Sequence, residues 1–175
     1  MARPSTAARV FAAVVRLAER GGPNALTMEG VATEAGVGKQ TLYRTWPSIH
    51  ALLFEALATE SAESEPVGSH RELFEALKAT SAELASEPRS SLLRMLAAAV
   101  QSDEVIARQF HTVLLQPQQE QFARVVAADG FDSPERATEL LLAPLLFRWF
   151  LRLPPLSDGE LADHIETVRR LHRHS

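Results

Sequence analysis

The span Thr27–Thr45 constrains the fold most, because it must turn a sharp corner between two short helices. Thr27 is a helix-capping residue, followed by the apolar positions Met28, Val31 and Ala32 and an expected end near Glu34. Ala35-Gly36-Val37 then forms a tight three-residue turn, in which Gly36 can take the positive φ that such a corner requires. A second short helix is expected from Gly38 or Lys39 to about Thr45, with Leu42 facing inward, before Trp46-Pro47-Ser48 breaks it. This is the length and punctuation of a helix-turn-helix, whose second helix enters the major groove of DNA. On residue physics alone, a solvated surface corner is the competing reading.

The rest of the chain is helical in pattern, and no stretch alternates as a strand would. Ser5 or Thr6 caps a first helix with the face Val10, Phe11, Val14, Leu17 and Ala18, which Gly21-Gly22-Pro23-Asn24 stops. Ser48 caps a longer helix with the stripe Ile49, Leu52, Leu53, Ala56 and Leu57, and Glu60–Ser69 reads as a polar linker. Further helices are expected over His70–Ser86, over Pro88–Gln101, and from a cap at Ser102 to Leu115, broken or kinked at Pro117 before resuming to Ala128. Another runs from Ser133 to Leu153, apolar nearly all round and kinked at Pro144; the last, capped by Ser157, spans Asp158–His172. The expected fold is all-α: a head over residues 5–47, then a connecting helix and a helical body over 48–175.

Composition narrows the function. Zero cysteines remove disulfides, thiolate zinc sites and a Cys nucleophile, and fit a reducing cytoplasm. The longest apolar run, Leu140–Phe147, is far short of the roughly 20 residues a membrane span needs. A cytoplasmic protein with no membrane partner is expected. The net charge of −4 hides an asymmetry: residues 1–50 carry six Lys/Arg against three acids, and the remainder is acidic. A basic front end on an acidic body suits contact with a polyanion at one end only.

Within the corner, Thr27 offers a hydroxyl and helix-terminal N–H groups to a phosphate. Gly38 permits close backbone approach, Lys39, Gln40 and Thr41 form a polar first turn, and Tyr43 and Arg44 can reach phosphate or a base edge. Residues 8–57 resemble the N-terminal domain of the tetracycline-repressor (TetR) family of bacterial transcription regulators. The resemblance is carried by Ala18-Glu19-Arg20-Gly21-Gly22, Leu26-Thr27-Met28, Val31-Ala32, Ala35 through Arg44, and Trp46-Pro47-Ser48. It implies phosphate contacts for Thr27 and Tyr43, and places Gly38, Lys39, Gln40, Thr41 and Arg44 at the major groove. Two departures stand out. Thr45-Trp46 replaces a second aromatic and a Phe, and Ser48-Ile49-His50 lacks the usual phosphate-binding Lys, so Thr45 and His50 join the expected interface and a weaker or more protonation-sensitive grip is expected.

The resemblance also implies that the body dimerises and holds an effector, so the expected partners are double-stranded operator DNA, a small apolar effector and a second copy. A two-fold dimer also follows from recognition itself, because one helix-turn-helix reads only a few base pairs. The expected dimer residues are Leu141, Leu145, Arg148, Trp149, Leu161, Ile165 and Val168; the expected effector residues are Phe74, Leu77, Met95, Leu96, Phe110, His111, Leu114, Phe122 and Phe147. Most of these side chains read equally well as ordinary core. No glycine phosphate loop, nucleophile elbow or His-Glu-x-x-His helix is present, so neither an enzyme nor a cofactor is expected. His164, His172 and His174 form a histidine cluster, and a basic helix C-terminus explains the last two more simply than a metal does. The competing function is a helical small-molecule sensor or carrier with a vestigial DNA-binding head.

Overall fold

The computed structural model describes residues 5–21, 26–63 and 72–172, all helical or connecting, with no strand among them. The predicted stop at Gly22–Asn24, most of the linker, His70 and His174 lie outside the described residues. The helices are α1 (Thr6–Gly21), α2 (Met28–Ala35), α3 (Lys39–Thr45), α4 (Ile49–Glu63), α5 (Leu73–Ala85), α6 (Arg89–Val100), α7 (Glu104–Gln109), α8 (Gln116–Ala128), α9 (Pro134–Phe150) and α10 (Asp158–His172). Two compact units result, one of residues up to 60 with 87–113, the other of 61–86 with 114 onward. The first unit therefore extends beyond residues 5–47 and takes in α4, α6 and α7.

In the first unit, α1 starts where the Ser5 hydroxyl accepts the Ala8 N–H at 3.1 Å, and it buries Val10, Ala13, Val14 and Ala18. The end of α2 is a Schellman motif. Gly36 sits at φ 63° and ψ 40°, its N–H reaches the Thr33 carbonyl, and the Val37 N–H reaches that of Ala32. Arg9 on α1 donates to the Gly36 carbonyl at 3.0 Å and pins the corner. Arg16 donates to Glu34 at 2.8 Å, Arg20 pairs with the same carboxylate, and together they hold that carboxyl below its ordinary range. The Trp46 ring meets Phe11 edge-on at 5.9 Å, and its indole N–H donates to Glu55 of α4 at 2.8 Å. On α4, capped by Ser48 through the Ala51 N–H, Leu52, Leu53 and Leu57 are buried as expected, and so is Phe54.

Two local expectations are corrected. Asp103, not Ser102, caps α7: its Oδ1 accepts the N–H groups of Val105 and Ile106, while the Ser102 hydroxyl donates back to Ala99 and closes α6. The break before Pro117 takes the form of a π-helical segment, Phe110–Leu115, leaving Pro117 in the first turn of α8. Proline supplies no N–H to the preceding turn and its ring crowds that turn's carbonyl, so a wider turn upstream accommodates it.

The second unit packs α5, α8, α9 and α10 around one core containing Leu73, Leu77, Phe122, Val126, Leu141, Leu145, Leu161, Ile165 and Val168. α9 runs from Pro134 through Pro144 without interruption, and it ends at Phe150, three residues short of the expected Leu153. It is apolar nearly all round, yet only one face is covered: Leu140, Phe147 and Phe150 remain exposed. Ser157 and Glu160 form a capping box at the start of α10, and Lys78 reaches across from α5 to Asp158 at 2.7 Å. Among the described residues, no helix is long and apolar enough to cross a membrane.

Candidate nucleic-acid interface

α2 and α3 meet at the Gly36 corner, and one inward residue seats α3. Leu42 is 1% exposed, whereas Lys39, Gln40, Thr41, Tyr43, Arg44 and Thr45 around it are exposed. A seven-residue helix cannot hold itself in water; burial of Leu42 and Trp46 gives α3 its place and leaves a polar face outward. Gly38 caps α3 without a side-chain hydrogen bond, and the Thr41 hydroxyl oxygen lies 3.9 Å from where a Cβ would stand.

The starting end of α2 carries the groups expected at phosphate. Thr27 Oγ1 accepts the Gly30 N–H at 3.0 Å and remains exposed, which leaves its hydroxyl proton for an acceptor. Tyr43 is 43% exposed, but its hydroxyl donates to Glu29 Oε1 at 3.1 Å. Contact with its own backbone N–H, then with Tyr43, and then the charge of Lys39 hold the Glu29 carboxyl below its ordinary range. The same contact pushes the Tyr43 phenol up. Thr45 donates its hydroxyl back to Thr41 within α3, and His50 is half-buried in the first turn of α4.

Several cations of the basic front end are held within the head. Arg16 and Arg20 are engaged by Glu34, and Arg9 by the Gly36 carbonyl, which leaves Lys39 and Arg44 as the cations carried by α3 itself. Glu29 and Glu34 both went unread from the sequence, because each acquires its partners from a different helix. For Glu29 the available signal was weak, an acid in the first turn of a helix, which the helix dipole favours; Glu34, in the last turn of α2, offered none.

A family profile described as "Bacterial regulatory proteins, tetR family" matches residues 6–56. A second, "Tetracyclin repressor-like, C-terminal domain", matches residues 68–168, more than half of the chain. The chain belongs to the TetR family. It is accordingly a DNA-binding transcription regulator and not an enzyme, and its helix-turn-helix lies within the matched N-terminal part. Solved structures share the fold. The TetR family transcription regulator SCO0332 aligns at a TM-score of 0.69 and 24% identity, covering 98% of this chain and 99% of that one. A TetR regulator from Agrobacterium tumefaciens aligns at 0.68 and 20% identity, covering 97% and 95%. Thermus thermophilus FadR, a TetR family repressor in complex with lauroyl-CoA, aligns at 0.61 and 22% identity, covering 95% and 93%. No curated protein sequence matches the chain.

The TetR body rearranges the other expected sites. Leu141, Leu145, Leu161, Ile165 and Val168 are each at most 5% exposed and lie in the unit's own core. Side chains already out of water have little area left to bury against a second copy. Arg148 donates to the Pro154 carbonyl at 2.6 Å and is half-buried, as is Trp149. Of the expected effector residues, Leu77 and Phe122 belong to the packed core, Phe74 packs against it, and Leu114 is buried. Met95, Leu96, Phe110 and His111 belong to the first unit, with Leu96 fully buried and His111 exposed. Phe147 is 60% exposed on the uncovered face of α9. An open groove of about 480 Å³ lies between α8 and α9 instead, lined by Gln119, Glu120, Arg124, Glu135, Thr138 and neighbours, and none of the expected effector residues lines it. His164 approaches the Leu141 carbonyl at 3.3 Å and so ties α10 to α9.

Proposed function

We propose that this TetR family protein is a homodimeric, ligand-responsive, cytoplasmic repressor that binds a palindromic operator through α2 and α3. The observation that carries the reading is the outward display of Lys39, Gln40, Thr41 and Arg44 around a fully seated Leu42. Those side chains suit base edges, each good bidentate pair contributing roughly 1–3 kcal/mol of discrimination. Thr27 at the start of α2 suits a phosphate, and His50 stands next to Ile49, where the family usually has a phosphate-binding Lys.

For the effector, the support is the apolar core shared by Phe74, Leu77 and Phe122, together with fold-level likeness to FadR, which was solved with lauroyl-CoA. A small apolar molecule entering that core has to displace packed side chains, and this gives it a means of favouring a second body conformation. Trp46, bonded to Glu55, ties the end of α3 to α4, so the head and α4 move as one piece. An effector that alters the separation of two recognition helices removes the contribution of the second half-site, because the duplex fixes their spacing.

The test is fluorescence anisotropy on the gene's own upstream DNA across a salt series, comparing wild type with Tyr43→Ala/Arg44→Ala. Nanomolar, salt-dependent binding that the double variant loses is the expected result. Binding no tighter than to random DNA, and indifferent to both substitutions, would replace the repressor with a sensor carrying a vestigial head.

A further inference from the structure

We propose that Glu29 is a built-in competitor for the DNA backbone: its carboxylate stands in for a phosphate and must release Tyr43 before the head closes on a duplex. The inference rests on the reading that this face of α2 and α3 meets DNA. A tyrosine hydroxyl has one proton to give. Here that proton goes to Glu29 Oε1 at 3.1 Å, and a phosphate oxygen, which only accepts, competes for the same donor. The first-turn backbone N–H of Glu29 and the charge of Lys39 also favour this carboxylate in its ionised form. A first-turn N–H, the Tyr43 hydroxyl and the Lys39 ammonium are groups a backbone phosphate would use, and the Tyr43 hydroxyl already serves a resident anion.

The arrangement is open to solvent, so exchange is sterically simple. Tyr43 is 43% exposed, and Glu29 and Lys39 are exposed as well. A phosphate arriving at Tyr43 meets a negative charge where the sequence alone suggested a ready donor. Glu29 must swing away or share the site, and in either case backbone affinity falls. Non-specific binding consists almost entirely of phosphate contact, so its strength reads the restraint directly and requires no knowledge of the operator.

The experiment measures anisotropy of a short labelled duplex of random sequence at low salt, using the full chain as wild type, Glu29→Gln, Tyr43→Phe and the double variant. Glu29→Ala serves as a second variant, and circular dichroism checks that each protein is folded. Glu29→Gln and Glu29→Ala are expected to tighten binding roughly three- to tenfold. The double variant is expected to lose most of that gain, because the phosphate then has no Tyr43 hydroxyl to recover. Duplex binding by wild type with no gain in either Glu29 variant overturns the inference and leaves the DNA-binding reading intact. An equal gain with and without the Tyr43 hydroxyl also overturns it, reducing Glu29 to a repulsive surface charge. If no variant binds the duplex, the DNA-binding reading fails and the inference falls with it.

Discussion

At Gly36 the backbone holds φ at 63°, a region that L side chains enter at a cost of roughly 1–2 kcal/mol. No atom lies within 4 Å of where a Cβ would stand, so the strain of Gly36→Ala is conformational and not steric. This substitution is expected to lower stability by about 1 kcal/mol, read as a fall in the urea midpoint with unchanged slope. The turn was legible because its requirement is local: a corner of that length needs a residue free of Cβ. Trp46 shows the opposite case. Its place as a helix breaker could be read from Trp46-Pro47-Ser48, but its hydrogen bond to Glu55 and edge contact with Phe11 could not. Those partners come from two other helices, and no periodicity connects them. The engagement of Arg16 and Arg20 by Glu34 was hidden for the same reason.

Among the elements, α10 is the one whose sequence prescribed it most fully. Ser157 and Glu160 stand three apart ahead of Leu161, Ile165 and Val168, and in the structure the Glu160 carboxylate accepts from the Ser157 N–H at 2.8 Å and its hydroxyl at 2.7 Å. Those bonds, hydroxyl first, lower the Glu160 carboxyl below its ordinary value of 4.5. The folded state therefore releases the proton more readily than the unfolded state. The stabilisation is complete above that ordinary value and fades as pH falls through the lowered one. The stability difference between wild type and Glu160→Gln is expected to be constant near neutrality and to shrink at acid pH; thermal melts across pH check it, and a difference that grows in acid would refute it. α7 was less legible. Ser102 and Asp103 are both good caps, and only the position of the α6 end decides that Asp103 faces the Val105 and Ile106 N–H groups. The π-helical form of Phe110–Leu115 has no sequence signature beyond the proline that follows it.

For the whole molecule, the informative surface is the part of α9 that its own unit leaves uncovered. Phe147 and Phe150 are 60% and 53% exposed, and Leu151 just beyond them is 50% exposed, a cluster of large apolar side chains that a lone soluble subunit has little reason to carry. For the proposed homodimer, this uncovered face is the place we propose for the two-fold contact. Replacing both aromatics, Phe147→Glu with Phe150→Glu, is expected to give a folded monomer in sedimentation velocity. DNA binding should then drop by at least tenfold, because the second half-site no longer adds to the first. A double variant that stays dimeric would place the contact elsewhere.

The sequence by itself determined the helical class, most helix starts, the Gly36 corner and the polar face of α3, all of which depend on residues within one or two turns of each other. It also showed that α9 is apolar nearly all round, but not which side of α9 faces inward. Tertiary structure decided that, because α5, α8 and α10 together can cover only one face of a cylinder. It likewise decided that the Tyr43 hydroxyl is already held by Glu29, a pairing between side chains fourteen residues apart that exists only once the Gly36 turn folds α3 against α2.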